Sequence, residues 1–346
     1  MRLPAEWEAA EYVLLSWPHK DTDWAYMLPQ VEECYVELAR AIAKRTQLVI
    51  VCPDTSVVEP KLRDIPESNR PVLIQVPTND TWIRDFGTIS TVDDNNVRLF
   101  NDFKFNGWGL KFAADKDNLV TCRVFGGMNL FKGEYRNRLN FVLEGGAIES
   151  DGRGTLITTR HCQLSPNRNG AYDISQIETN LKDFFGLDRV LWLSHGALEG
   201  DDTDGHIDTL VRIAPPGDVL FYVGCQPDDC HYAELSAMKT ELERLKTADG
   251  NSYHLVELPL PDPIYDEDDG HRLPATYANF LILNGAVLLP VYGQPLKDKM
   301  AADLIKTAMP DYEVVPIDCR ALIRQHGSLH CATMQIPFGK RNSKAD

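Results

Sequence analysis

The order of elements predicts an α/β chain whose mixed sheets stand in a ring rather than in one doubly wound layer. Three observations carry this. Helical segments follow only some of the strands, whereas a doubly wound parallel sheet needs a helical crossover between most of them. No linker-like or compositionally distinct segment divides the 346 residues. Chemically capable polar residues recur just after strands, the pattern expected where repeated units converge on one centre.

Taken in order, Glu11 to Trp17 reads as a strand closed by Pro18, followed by the polar turn Asp21 to Trp24. Leu28 to Arg45 has helical periodicity, with Val31, Tyr35, Leu38 and Ile42 on one side and Pro29 in the first turn. Gln47 to Val51 and Val72 to Val76 are short apolar strands, each stopped near a proline. Thr88 to Val92 and Val97 to Phe105 are strands, Asn106-Gly107-Trp108-Gly109 is a turn, and Asp115 to Phe125 fits neither period. Phe141 to Leu143 leads into Glu144-Gly145-Gly146, and Asp151-Gly152-Arg153-Gly154 is a hairpin signal before the strand Thr155 to Thr158. Ile174 to Phe185 is helical, with Ser175 as an early cap and Gly186 as its stop, and Val190 to Leu193 is a strand. Strands follow at Asp218 to Val223 and Tyr253 to Leu258, on either side of a helix from Tyr232 to Lys246. Pro259 to Asp269 is an acidic, proline-rich loop. Asn284-Gly285 turns the strand Tyr277 to Leu283 into Ala286 to Val291. Lys297 to Met309 is a helix, Glu313 to Ile317 a strand, and Ala321 to Ile323 starts one more short element.

The net charge of -16 disfavours nucleic acid and anionic membrane as partners and suits a cationic ligand. The apolar run Tyr12 to Leu15 is too short for a signal-peptide core, and no stretch approaches the roughly eighteen apolar residues of a membrane span. A cytoplasmic protein is the expectation. Eight cysteines in a chain of this length are not a disulfide scaffold. Cys225, Cys230 and His231 lie close together, but no second half-site follows at zinc-finger spacing.

The run Leu198 to Ile213, LEGDDTDGHIDTLVRI, is the richest in chemistry. If a strand follows Gly205, His206, Asp208, Leu210 and Arg212 share one face and Ile207, Thr209, Val211 and Ile213 the other. A titratable His and a carboxylate then leave the acidic turn on one side. The plainer alternative is a solvated strand end with a chance His. A calcium loop fails, because Gly205 at position six would put Gly200 and Val211 where acidic ligands are needed. Metalloprotease and phosphate-loop signatures are absent. Thr78 to Gly87 crowds two aromatics, Trp82 and Phe86, with Arg84 and two acids, Asp80 and Asp85, as a pocket rim does, and if it is extended Arg84 and Asp85 point apart. Cys331 needs a partner to act as a nucleophile near neutral pH, and His206 is the candidate. His330 reads as a supporting or structural neighbour. Asp85, Glu144 and Asp208 around a Cys–His pair exceed what amide hydrolysis needs, but suit a planar guanidinium, whose N–H donors carboxylates match bidentately. Those charges raise the thiol pKa and a bound guanidinium offsets them.

The chain resembles the agmatine deiminases of the guanidine-modifying superfamily, which also holds peptidyl-arginine deiminases, arginine deiminases and amidinotransferases. The resemblance runs through Pro4-Ala5-Glu6-Trp7-Glu8, Trp17-Pro18, Trp82-Ile83-Arg84-Asp85, Phe105-Asn106-Gly107-Trp108-Gly109 and Leu143-Glu144-Gly145-Gly146. It continues through Pro166-Asn167-Arg168-Asn169, Asp204-Gly205-His206-Ile207-Asp208 and His330-Cys331. It implies one catalytic domain over residues 1–346, folded as a five-bladed α/β propeller of ββαβ units, with no cofactor and no metal. It also implies a small cationic guanidine substrate and a homodimer. Cys331 would be the nucleophile, His206 the general acid and base, Asp85 and Asp208 the guanidinium holders. Glu144 would hold a guanidinium nitrogen or orient His206. Trp82, Arg84, Trp108, Asp202 and Asp204 complete the residues expected at the substrate. The reaction implied is agmatine to N-carbamoylputrescine and ammonia, with peptidyl-arginine deimination and a catalytically silent binding propeller as alternatives. The run Arg324-Gln325-His326-Gly327-Ser328-Leu329 before the nucleophile, Asp201-Asp202-Thr203-Asp204 and Phe86-Gly87-Thr88 depart from the family pattern. These departures bear on the end of the substrate away from the guanidine.

Overall fold

The computed structural model describes residues 1–127 and 131–339. Their strands form five small sheets. The first holds β1 (Ala10–Ser16), β2 (Gln47–Cys52) and β3 (Val72–Gln75). The second holds β4 (Ile89–Val92), β5 (Arg98–Lys104) and β6 (Glu134–Val142). The third holds β7 (Ile148–Ser150), β8 (Thr155–Thr159) and β9 (Arg189–Leu193). The fourth holds β10 (Val211–Ala214), β11 (Val219–Gly224) and β12 (His254–Pro259). The fifth holds β13 (Leu281–Leu283), β14 (Ala286–Val291) and β15 (Glu313–Asp318). The last strand, β16 (Thr333–Pro337), pairs antiparallel with β1.

In sheets two to five the first two strands pair antiparallel and the second and third pair parallel. In the first sheet β16 takes the place of the antiparallel strand, so the chain's end closes the ring its beginning opened. This is the ββαβ repeat of a five-bladed α/β propeller. A parallel pair needs a crossover, and four of the six crossovers carry a long helix: Leu28–Ala43, Ile174–Phe185, Tyr232–Leu242 and Pro295–Ala308. The link from β2 to β3 holds only short helical turns. The second sheet uses short turns instead, where Asp115 to Phe125 showed no clear period.

The first helix forms as its spacing predicts. Val31, Tyr35, Leu38 and Ile42 are all fully buried, each contributing roughly 1.5–3 kcal/mol by leaving water. Pro29 sits in the first turn, where its missing N–H costs nothing. The third sheet's helix is capped by Asp173, not Ser175: Asp173 accepts from the backbone of Gln176, whose side chain reaches back. Gly186 ends it at φ 64°.

The closure makes a prediction. A chain ending at Ala332 leaves β1 without its antiparallel partner. It should give no cooperative thermal unfolding transition, while a folded monomer with a sharp melt would contradict this topology.

Candidate active site

Each connection from one blade to the next delivers polar side chains to the axis. The link from β3 to β4 brings Trp82 and Asp85, the link from β6 to β7 Glu144 and Gly146, and the link from β9 to β10 His206 and Asp208. The link from β12 to β13 brings Asn279, and the link from β15 to β16 brings His330 and Cys331. Two of these segments differ from their predicted shape. Ile207–Thr209 is a single 3-10 turn rather than a strand, and the strand starts only at Val211. Ile83–Phe86 is one helical turn, so Arg84 and Asp85 diverge by roughly 100° rather than lying on opposite faces of a strand.

Cys331 is buried, with Sγ 3.6 Å from Asp208 Oδ2, and Asn279 Nδ2 donates to the sulfur at 3.2 Å. Asn279 Oδ1 accepts from the backbone of His330 at 2.9 Å. Both oxygens of Asp85 accept a bond, Oδ2 from Trp108 Nε1 at 3.0 Å and Oδ1 from the Gly146 amide at 2.9 Å. Trp108 reaches Asp85 from a left-handed backbone, φ 54°, between two glycines that share it. Asp208 Oδ2 receives His330 Nδ1 at 2.7 Å, while its Oδ1 is buried without a partner. His206 is fully buried, Nδ1 3.6 Å from Asp85 Oδ1 and Nε2 3.9 Å from Glu144 Oε2, and neither nitrogen closes a hydrogen bond. Arg168 Nε grips both oxygens of Glu144, at 2.9 and 3.0 Å, and its other nitrogens hold Asp204 and the Thr203 carbonyl. Glu144 is thereby fixed to the loop that carries His206.

Gly146 is where these groups meet. A Cβ there would lie 2.7 Å from His206 Nδ1, 2.9 Å from Asp85 Oδ1 and 3.0 Å from Asp208 Oδ2. The glycine is required by space, since three functional side chains converge on its Cα.

Charge and burial set the protonation states. Burial pushes the Cys331 thiol well up, and the Asp208 and Asp85 carboxylates push it further. Burial alone would strip His206 of its proton, but Asp85, Cys162 and Glu144 hold its pKa well above the ordinary value. Burial raises the Asp85 carboxyl, against the opposing pull of His206. Burial acts the same way on Asp208, yet its bond to His330 keeps it below the ordinary value. The resting centre is a neutral thiol, an imidazolium and an oriented carboxylate.

Trp82, Asp85, Trp108, Asp202 and Cys331 line one narrow pocket, together with Asp23 and Asp80. Glu144, His206 and Asp208 gather behind it. Arg84 and Asp204, also expected at the substrate, are placed elsewhere. Arg84 turns to the opposite end of the axis, where it meets the His330 carbonyl, Met334 and Gln335 beside a second cavity lined by Glu6, Ser90 and Glu149. Cys331 does not line that cavity. Asp204 is spent on Arg168 and on Lys111 at 2.7 Å. Asn279 and Arg168 were given no role at the site, and Asp80 was read only as part of a pocket rim. Asn279 had a signal, a lone amide inside the apolar run Tyr277 to Leu283. Arg168 stood in a motif of the resemblance but carried no signal in spacing, because its partners are distant in the chain. In the Cys225–Cys230–His231 group, His231 binds the Glu199 amide through Nε2 and Asp229 through Nδ1.

A family model described as Porphyromonas-type peptidyl-arginine deiminase matches residues 2–337. The agmatine deiminase of Pseudomonas aeruginosa (strain LESB58) is 33% identical over 361 residues, covering 98% of this chain and 96% of that protein. A C. jejuni agmatine deiminase, solved as a cysteine-to-serine variant with substrate bound, is 36% identical with a TM-score of 0.90, covering 98% of this chain and 97% of that one. A Porphyromonas gingivalis protein, provisionally named an arginine deiminase, is 50% identical with a TM-score of 0.90, covering 97% and 98%.

The electrostatics can be read directly. In histidine-ring NMR His206 should keep its proton well above the ordinary histidine range, and Asp85→Asn should lower its pKa by roughly a unit or more. A His206 that titrates at or below the ordinary value in the unmodified protein would contradict the cluster described.

Proposed function

The chain belongs to the Porphyromonas-type peptidyl-arginine deiminase family, and on that premise we propose that it is an agmatine deiminase, a hydrolase of linear amidines that converts agmatine to N-carbamoylputrescine and ammonia. The observation that carries the reading is a set of buried, unpartnered atoms facing one thiol. Asp208 Oδ1 and both ring nitrogens of His206 lack partners beside Cys331 and Asp85. Buried polar groups are rarely left unpaired, and a guanidinium supplies N–H donors for the carboxylates.

The steps follow from these states. The guanidinium settles between Asp85 and Asp208 and offsets the charges that hold Cys331 protonated, so the thiol releases its proton to solvent. Sγ attacks the guanidinium carbon. His206 gives its proton to a terminal nitrogen, the C–N bond breaks, and ammonia leaves a thiouronium on Cys331. Water enters, loses a proton to His206 and attacks the same carbon. The C–S bond breaks, the ureido product leaves, and the thiolate regains a proton. Glu144, held by Arg168, keeps the imidazole in place through both transfers. Asp85 and Asp208 act as charge and geometry throughout.

The far end of the pocket supports agmatine over arginine. Its lining includes Asp23, Asp80 and Asp202 and, among the described residues, no Arg or Lys. The cations that a free α-carboxylate would need are engaged elsewhere: Arg212 by Glu6 and Glu149, Arg324 by Asp266, and Arg84 as above. A terminal ammonium needs only carboxylates. The rim also favours a small molecule over a peptide. Trp82, Trp108 and Phe112 wall the pocket, and Lys111 ties the 107–112 turn to Asp202 and Asp204.

Purified protein should release ammonia from agmatine with kcat/KM at least about a hundredfold above free arginine, because a stranded carboxylate is costly to bury. Cys331→Ser should abolish turnover, and Asp208→Asn should cut kcat/KM by roughly a hundredfold or more. A blocked arginyl peptide processed faster than agmatine would overturn the substrate assignment.

A pH prediction follows from the distal carboxyls. Burial raises Asp80 to about 7, with Asp23 and Asp202 adding to it, and burial raises Asp202 to about 6. Both must be ionised to receive an ammonium. The KM for agmatine should therefore rise as pH falls through this range, while butylguanidine, which lacks the amine, should show no such rise from these groups. Equal pH dependence for the two compounds would remove Asp80 and Asp202 from the site.

A further inference from the structure

The guanidinium-facing carboxylate Asp208 does not stand alone. His330 Nδ1 bonds its Oδ2 at 2.7 Å, and on the far side of the ring His330 Nε2 meets Glu6 Oε2 at 2.6 Å. The ring thus spans two carboxylates, Asp208 on one side and Glu6 on the other, and Arg212 Nη2 also lies 3.1 Å from its Nε2. Glu6 lies in the segment before β1 and is itself fixed from two further blades. Its Oε1 accepts from the Ile282 amide at 2.7 Å, and Arg212 Nη2 reaches it at 2.8 Å. All three members of the chain are buried or nearly so: Asp208 side chain 0% exposed, His330 2%, Glu6 10%.

We propose that Glu6 and His330 are positioning residues for the reaction, a chain from the opposite end of the propeller axis that holds Asp208 ionised and turns its free Oδ1 toward the guanidinium. The inference rests on the reading that a guanidinium binds against Asp208. Asp85 and the thiol that becomes a thiolate disfavour the negative charge of Asp208, and His330 opposes them together with His206 and Arg212. His330 is faced by Glu6, Asp208, Glu149 and Arg212, with Arg84 on its carbonyl and Cys331 next in the chain. Replacing Glu6 by a neutral isostere removes the carboxylate that anchors the far side of the His330 ring. The bond from His330 to Asp208 is then weakened, and the Asp208 carboxyl protonates at higher pH.

The test uses the full chain. Wild-type turnover of agmatine comes first, since its absence would defeat the agmatine reading and not this one. In Glu6→Gln, with thermal unfolding checked, the KM for agmatine should rise about tenfold or more, kcat should change less than about threefold, and the acid limb of kcat/KM should move to higher pH. Agmatine binding to Cys331→Ser then separates positioning from a structural role. Adding Glu6→Gln should weaken binding in that background, but not in Cys331→Ser, Asp208→Asn, because the chain acts only through Asp208. A folded Glu6→Gln with unchanged KM and acid limb, or equal weakening in both binding backgrounds, would overturn the proposal. If Glu6→Gln does not fold, His330→Gln takes its place, with the same expected and contrary outcomes.

Discussion

The interaction on which the rest depends is the buried pair between His330 and Asp208. It lies at the centre of a polar hub in which Glu6, Arg84, Glu149, Arg212 and His330 are brought together from different blades. A propeller's axis is where blade edges meet, and charged groups there are cut off from water. Breaking one buried ion pair while leaving its partner costs roughly 3–5 kcal/mol, a large share of a domain's net stability. The same hub that locks the blades therefore fixes the register of the catalytic loops. Arg212 shows the economy of the arrangement. It binds Glu149 of β7, Glu6 of the N-terminal segment, and the carbonyls of Ala278 and Phe280 just before β13. One guanidinium joins three parts of the ring, and in doing so it is removed from competition for substrate.

The chemistry grows from a conflict placed beside this hub. Two carboxylates next to a buried thiol are a poor setting for a thiolate and a good one for a planar cation. An enzyme that acted on neutral amides would gain nothing from Asp85 and Asp208. In the proposed reaction they supply affinity for a guanidinium first, and by being neutralised they then release the thiolate. The same charges hold the His206 pKa well above its ordinary value, which suits it to the proposed role of the acid that expels ammonia. Substrate charge would thus enter the proposed mechanism twice, once in binding and once in activation.

Much of this was legible in the sequence. The helix Ile174–Phe185 and the strand Ala286–Val291 fall where periodicity and turn chemistry put them. What was hidden has a physical pattern. The run 206–209 looked like a strand because apolar and polar residues alternate, but it forms a 3-10 turn with His206 and Asp208 side chains both beside Gly146. The segment 277–280 is as apolar as a strand, yet Asn279 turns inward to Cys331 and the strand starts only at Leu281. The long strand Glu134–Val142 alternates weakly and is exposed over much of its length, so only its buried end, near Phe141, gave a signal. β16 was overlooked because its partner, β1, is at the other end of the chain. The supporting side chains Glu6, Arg168 and Asn279 share that difficulty: each works through residues far away in sequence. Arg84 illustrates the reverse error: the family resemblance set it at the substrate with Asp85, but from the same helical turn the two side chains line different cavities.

In the proposed reaction Cys331 rests as a thiol rather than as a preformed thiolate. The pH dependence of Cys331 alkylation by iodoacetamide in substrate-free protein, followed by mass spectrometry of the Cys331 peptide, decides it. The structure predicts a rate that is low at neutral pH and still climbing above the ordinary thiol range, because burial, Asp208 and Asp85 all hold the proton on sulfur. A rate already at its plateau at or below pH ~7, as a Cys331 thiolate paired with His206 would give, would contradict it.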